Sequence, residues 1–314
     1  MLFKYLSPAR IDVLEHLLIR FTQPSALNDP FESAILVDAS NSLDMKSVLL
    51  EFRNSLAGDG IIPINEDERD ELERELAKLE AYAEDLMHPS SLGNKLVALL
   101  DRAQGVLSLS RTPDSLLMWS HYADSHKGFI LGFDESHEFF SMPDGNGRKT
   151  KPHSVVYTSR RQAAKVGSEN FYEQLLCYKS LEWAYEQEVR IFRTFGRNQD
   201  DFEKNDRNCL KLFRVPAECI KEIYLGANIG DDLVKGIRLA AERQNLNVRV
   251  FRGGISTDRY EMTFDELPPI QRGYRDGRYA VLLAIGSSDF IPPSRQILPV
   301  IQSAQRGGVH FSKV

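Results

Sequence analysis

With 314 residues, 42% of them apolar and 27% charged, the chain is long enough to bury a full core and has an ordinary globular composition. No apolar run approaches the roughly twenty residues of a bilayer span, and a net charge of −6 argues against a broadly basic nucleic-acid surface. The three cysteines, Cys177, Cys209 and Cys219, have no metal-ligand spacing and read as reduced thiols, so a cytoplasmic protein without metal, signal peptide or membrane contact is expected.

In chain order, residues 3–6 read as a short strand, and Ser7-Pro8 open a helix through about residue 19, with Ile11, Leu14, Leu17 and Leu18 at helical spacing. Asn28-Asp29-Pro30 punctuates a loop. Residues 65–87 carry many charges around a stripe of Leu72, Leu76 and Leu79, which predicts an amphipathic surface helix. A second helix over about 91–103 pairs with it, making a helical insertion at about 64–104. Residues 106–110 alternate apolar and hydroxyl side chains like a half-buried strand, and a helix over 114–123 follows. Strands are expected at 129–133 and 155–158, separated by a Gly-rich loop at 143–148.

A helix over 170–179 then precedes an alternating strand at 188–195. Further strands fall at 209–215, 220–225 and 247–252, with a helix over 231–244 between the last two, capped at Gly230 or Asp231. From about residue 268 periodicity fades apart from 279–285, so 268–314 reads as a C-terminal extension. The expected architecture is one α+β domain over 1–267, a mixed and mostly antiparallel sheet with inserted helices. Two small basic clusters, Arg160-Arg161 with Lys165 and Arg272 with Arg275 and Arg278, read as solvated surface.

Four segments concentrate polar groups. Lys4 and Tyr5 lie on the first strand, followed by Asn28, Asp29 and Glu32; Asn28-Asp29 can equally be an Asx turn that caps its own backbone. Ser108 and Ser110 fall on one strand face and can line a cleft, although Ser110 or Thr112 before Pro113 also fits a helix cap. Trp119, His121, Tyr122, His126 and Lys127 crowd a short helix and its exit; Trp119 can be plain core and Gly128 a helix stop. Finally, Trp183 precedes Glu186, Glu188 and Arg190. If the strand has already begun at Glu186, both carboxylates share a side, and Arg190 on that side can neutralise one of them. No P-loop, nucleophile elbow, zincin motif, Cys-x-x-Cys or dinucleotide glycine fingerprint is present.

Phe3-Lys4-Tyr5, Asn28-Asp29-Pro30-Phe31-Glu32, Ser108-Leu109-Ser110, Met118-Trp119-Ser120-His121-Tyr122-Ala123 with His126-Lys127-Gly128, and Trp183 with Tyr185-Glu186-Gln187-Glu188-Val189-Arg190 together resemble the bacterial family catalogued as domain of unknown function 2971 (DUF2971). The resemblance runs from residue 1 to about 260. It implies a role in toxicity or antiphage defence, because such families sit among mobile and defence genes. The order of parts also resembles the ADP-ribosyltransferase superfamily, whose split antiparallel sheet binds NAD as substrate.

That second resemblance implies a basic or polar residue on the first strand (Lys4 or Tyr5), hydroxyls on the second (Ser108, Ser110) and a catalytic glutamate on a late strand (Glu186 or Glu188). The serines would hold the nicotinamide ribose, Tyr5 or Tyr122 would stack on nicotinamide, and Lys4 or Arg190 would meet the diphosphate. Trp119 and His121 would complete the cofactor pocket, while Asn28, Asp29, Glu32, His126 and Lys127 position substrate or structure. This sequence departs from that pattern where Lys4 replaces an expected Arg or His and Leu109 interrupts the hydroxyl run. The acceptor, protein or nucleic acid, is left open, and the C-terminal extension is free to dock a partner protein. The alternatives are a non-catalytic nucleotide or nucleic-acid binding module, and a metal-dependent nuclease built on Asp29, Glu32, Glu186 and Glu188.

Overall fold

Strand β1 (Leu2–Leu6) lies in the interior of an eight-stranded sheet and divides two chemically different faces. The computed structural model describes residues 1–32, 34–38, scattered positions between 70 and 101, 104–142, 150–165, 171–194, 202–205 and 210–269. The chain divides into two compact units, Met1–Ile270 and Gln271–Val314, and the second lies outside the described residues.

Among the described residues, β1 leads through a 3-10 turn (Pro8–Ile11) to helix α1 (Asp12–His16), then β2 (Leu18–Phe21), β3 (Leu36–Asp38) and β4 (Gln104–Ser110). Helix α2 (Leu116–Tyr122) follows, then β5 (Phe129–Phe133), β6 (His153–Ser154), β7 (Val156–Thr158), β8 (Ala163–Lys165), α3 (Phe171–Leu176) and β9 (Tyr178–Ser180). A 3-10 stretch (Leu181–Glu186) opens into β10 (Glu188–Thr194), and the rest comprises β11 (Phe202–Asn205), β12 (Leu210–Arg214), β13 (Ile220–Leu225), α4 (Asp231–Arg243), β14 (Arg249–Ile255) and β15 (Met262–Glu266).

The large sheet has the order β15-β14-β13-β5-β1-β4-β10-β6. All its pairings are antiparallel except β13–β14, whose parallel join needs the α4 crossover. A three-stranded sheet, β11-β12-β2, and two short parallel pairs complete an α+β fold. Strands β1 and β4 are joined in register only at Phe3 and Ser110, because further along β4 the bridge Thr22–Val106 takes the edge that β1 leaves. The sheet is therefore split between β1 and β4.

Pleating sorts the side chains. Leu2, Leu6, Leu107, Leu109, Leu131, Val189 and Ile191 point to one face, where α1 and α4 close the main core with Leu14, Ile237 and Ala240. Phe3, Tyr5, Ile130 and Tyr224 point to the other, under Met118 and Trp119 of α2. Trp119 is fully buried and its indole N–H donates to the Pro113 carbonyl at 2.8 Å, so it is a core residue with a satisfied polar edge.

Several expected boundaries move. The first helix ends at His16, because Leu17 adopts a left-handed φ of 54° and Leu18–Phe21 pairs with β12 instead of continuing the turn. Strand pairing here overrides helical spacing. Helix α2 is capped by Ser115, whose Oγ accepts from the Met118 N–H, and neither Ser110 nor Thr112 serves. Helix α3 stops at Leu176 because Tyr178–Ser180 pairs with β7. Strands β3, β6, β8, β11 and β15 were not anticipated.

Gly128 does not terminate α2 alone. Asp124, Ser125 and His126 turn the chain with φ of 47°, 54° and 65°, and the Gly128 N–H returns to the Ala123 carbonyl. Glycine is needed there for proximity: a Cβ would stand 2.0 Å from the Leu6 carbonyl oxygen. The helices expected over 65–87 and 91–103 lie mostly outside the described residues, of which Asp70, Arg74, Ala77, Gly93, Asn94, Val97, Ala98, Leu100 and Asp101 have helical backbone. The loop at 143–148 and the strand at 279–285 lie outside them entirely. No helix among the described residues is long and apolar enough to cross a membrane.

Candidate functional site

Adjacent strands β4 and β10 set Glu188 opposite Ser110 and Arg190 opposite Ser108, and β1 sets Phe3 opposite Ser110. By alternation, Tyr5, Ser108, Ser110, Glu188 and Arg190 share the face that α2 covers. Glu188 accepts from the Arg190 guanidinium through both oxygens, Nε to Oε1 at 2.9 Å and Nη2 to Oε2 at 3.0 Å. Arg190 also donates to Glu32 and to the Leu176 carbonyl.

A lysine completes the cluster. From β9, Lys179 Nζ donates to Glu186 Oε2 at 2.6 Å and to Glu188 Oε2 at 3.3 Å, and stands 3.9 Å from Glu32 Oε2. The same ammonium lies 4.8 Å from the centroid of the Trp183 ring. Glu186 ends the 3-10 stretch, and Gln187 follows with a left-handed φ of 43° before β10 begins at Glu188. The two acids thus converge through a chain reversal, not through the strand alternation expected from their spacing. Asp29, Glu32, Glu186, Glu188, Lys179 and Arg190 are all buried.

The electrostatics follow from that burial. Loss of water pushes the Glu188 carboxyl above the usual range, against the pull of Lys179 and a hydrogen bond from Ser108. Burial works to lower the Lys179 ammonium, but Glu188 and Glu186 together outweigh it and hold the group well above its ordinary value. Burial draws Arg190 down to about 9, opposed by Asp29, so it remains a cation at neutral pH.

One route leads outward from this cluster. Glu186 Oε1 accepts from the Tyr122 hydroxyl at 2.6 Å, and that hydroxyl accepts from the exposed Asn28 amide at 2.6 Å. Burial, reinforced by Glu186, raises the Tyr122 phenol so that it stays a donor. Ser110 Oγ donates to the Glu186 carbonyl at 2.7 Å, and the Tyr157 hydroxyl accepts from the Glu188 N–H at 2.7 Å. Asp29 makes the Asx turn, its Oδ1 accepting from the Phe31 N–H, while its Oδ2 is buried with no hydrogen-bond partner. Tyr122→Phe is expected to cost roughly 1.5–3 kcal/mol, the worth of a hydrogen bond to a charged acceptor, as read by urea unfolding.

Asn28, Asp29, Glu32, Ser108, Ser110, Tyr122, Glu186, Glu188 and Arg190 therefore meet. Others expected beside them do not. Lys4 alternates with Phe3 and Tyr5 and falls on the opposite face, beside Leu2 and Leu6, where Nζ donates to the Ser108 carbonyl at 2.8 Å. It cannot share a diphosphate with Arg190, which is itself sealed among acids. Tyr5 packs edge-on against Trp119 and donates to the Thr112 carbonyl, so neither its ring nor that of Trp119 is open for stacking. His121 is exposed beside Tyr185, His126 stacks on Trp119 at 6.0 Å, and exposed Lys127 pairs with Asp124 at 3.7 Å.

Lys179 and Tyr157 were not singled out in the sequence. The available signal for Lys179 was a lone cation after the apolar run Leu175-Leu176-Cys177, where an unpaired charge would be costly. Its ammonium takes the central place among Glu32, Glu186 and Glu188 that a nuclease would give to a metal ion. Among the described residues no group of three or more His, Cys, Asp or Glu side chains is arranged to hold a metal. Cavities of about 260 and 390 Å³ lie elsewhere, against Glu15, His16 and Arg243 and against Leu17, Phe139 and Arg214.

Residues 118–191 match the family model described as Protein of unknown function (DUF2971). The DUF2971 segment contains Tyr122, Lys179, Glu186, Glu188 and Arg190, which is most of the buried cluster, while Asn28, Asp29, Glu32, Ser108 and Ser110 precede it. No curated protein and no solved structure matches the chain.

Proposed function

We propose that this protein cleaves NAD, as an ADP-ribosyltransferase or NAD glycohydrolase acting as a toxin or defence effector, with Glu186 and Glu188 at the nicotinamide ribose. The observation that carries the reading is the placement of Tyr5, Ser108, Ser110 and Glu188 on one face of three neighbouring strands, with Glu186 linked outward through Tyr122 and Asn28. Breaking the ribose C1′–nitrogen bond sends the electron pair to nicotinamide, which leaves neutral, and charge grows on the ribose as in glycoside hydrolysis. A carboxylate beside the ribose stabilises that charge. The acceptor, water or a nucleophile on protein or nucleic acid, then bonds to C1′ and gives its proton to a carboxylate.

Glu186 is the better placed of the two acids for the outer step. Both acids have both oxygens engaged, but the bonds of Glu188 lead to buried Arg190, whereas Glu186 bonds through the half-buried Tyr122 to the exposed Asn28 amide. A substrate reaching it must displace the Asn28 amide from that hydroxyl. The full engagement of Glu188 also favours a second reading, a nucleotide-binding module without chemistry in which the cluster only shapes the surface. Incubation with NAD labelled in the adenylate part, with and without cell extract and nucleic acid, separates the two. Nicotinamide release or label transfer is expected, with at least a hundredfold loss in Glu186→Gln as for other displaced catalytic acids. Binding of NAD without turnover would leave only the second reading, and no binding at all would remove both.

A further inference from the structure

Where the carboxylate cluster opens outward, a row of aromatic rings reaches the surface. Trp183 lies 6.0 Å from Tyr185, and Tyr185 6.2 Å from His121, centroid to centroid, with tilts of 41° and 34°. His121 is exposed and the other two are half-buried. The ammonium of buried Lys179 lies 4.8 Å from the Trp183 ring and takes its inner side, so water reaches the indole from the outer side. His121 meets Tyr122 edge-on at 6.5 Å, which brings the row to the hydroxyl joining Glu186 and Asn28.

A further ring and two cations border the same cluster. Phe31 is 63% exposed, yet its backbone is pinned by the Asp29 turn before it and by buried Glu32 after it. Glu32 stands 3.9 Å from the Lys179 ammonium that underlies Trp183. The Arg161 guanidinium carbon lies 5.9 Å from the centroid of Phe31. Strands β7 and β9 run parallel and end together at Thr158 and Ser180, so Arg160-Arg161 and Leu181–Trp183 leave from one end of the pair. The Thr158 hydroxyl accepts from the Arg160 N–H at 3.2 Å and fixes that exit. Both arginines are exposed, and among the described residues neither forms an ion pair.

We propose that Phe31, Arg160, Arg161, His121, Trp183 and Tyr185 bind single-stranded nucleic acid, bases stacking on the rings and phosphates meeting the arginines. Ring faces accept any unpaired base, and guanidinium groups on an exposed turn follow the backbone. Exposed Asn28 keeps its carbonyl oxygen and one amide N–H for a base edge. Leu117 and Leu181 are exposed on the same segments, as a protein partner would require. The unpaired arginines beside Phe31 favour a polyanion with flat bases instead. That the strand is the acceptor of ADP-ribose rests on the NAD-cleaving reading; its binding does not.

The test titrates the full chain, without NAD, with single strands of about twelve nucleotides, DNA and RNA, and with the matching duplex. The chain has two tryptophans and Trp119 is fully buried, so quenching of indole emission reports stacking on Trp183. Saturable quenching by a single strand is expected, with the duplex at least about tenfold weaker. Phe31→Ala, a change at an exposed side chain, should weaken binding about tenfold. Arg160→Gln and Arg161→Gln should each lower the slope of log affinity against log salt by about 0.7. Absence of quenching, equal affinity for the duplex, or unchanged binding in Phe31→Ala would overturn the assignment. Self-association lost in Phe31→Ala, without strand binding, would give the surface to a second copy and overturn it as well. Strand binding without nicotinamide release would keep this site and remove the NAD reading, and nicotinamide release without strand binding would do the reverse.

Discussion

Replacing Lys179 by methionine is expected to lower stability by roughly 3–5 kcal/mol, the cost of removing one partner from a buried ion pair. The methionine fills similar space, so the loss is electrostatic. Glu186 and Glu188 would be left facing each other and Glu32 without their shared cation, in a place where burial already raises Glu188. The pH dependence has a definite sign. A Glu188 carboxyl raised further above its unfolded value gives a contribution present at low pH and lost as pH climbs through the folded value. Lys179→Met should therefore lie closest to the native protein near about pH 5 and fall furthest behind near about pH 8. Urea unfolding at the two values checks this, and an equal loss at both would mean the lysine acts only by packing.

Arg190→Met is the companion case and should be about as damaging, again roughly 3–5 kcal/mol. One guanidinium serves Glu188 through two hydrogen bonds, Glu32 through a third and the Leu176 carbonyl through a fourth. A lysine at this position offers a single point charge and no fork, so Arg190→Lys should recover little. Adding Glu32→Gln to Arg190→Met should restore part of the loss, because it removes one uncompensated charge; the two changes are then non-additive. Wild-type stability in Arg190→Lys, or strict additivity in the double variant, would show that the fork does not organise this cluster.

The α+β class and most strands were legible because alternation survives wherever one sheet face is buried, as in Leu107-Ser108-Leu109-Ser110. What failed was local. Leu18–Phe21 carries helix-compatible spacing, and only its pairing with β12, nearly two hundred residues away, makes it a strand. The polar cluster was partly legible too: Glu32, Glu186, Glu188 and Arg190 were named from their neighbours in sequence. Lys179 escaped because nothing local marks it, and its role comes from facing acids on two other segments. Lys4 and Tyr5 could not be assigned to a face until the β1–β5 register, Lys4 opposite Leu131 and Tyr5 opposite Ile130, had been fixed.

Gln187 gives the acidic pair an unusual dependence. Its single left-handed φ, anchored where its carbonyl accepts from the Arg111 N–H, swings Glu186 inward independently of the pleat that orients Glu188. Lengthening or shortening the chain by one residue at this joint would leave Glu188 in its ladder and rotate its companion off Lys179. The distance between the two carboxylates is thus governed by one swivel, and homologous chains that vary there would be expected to differ in chemistry before they differ in architecture.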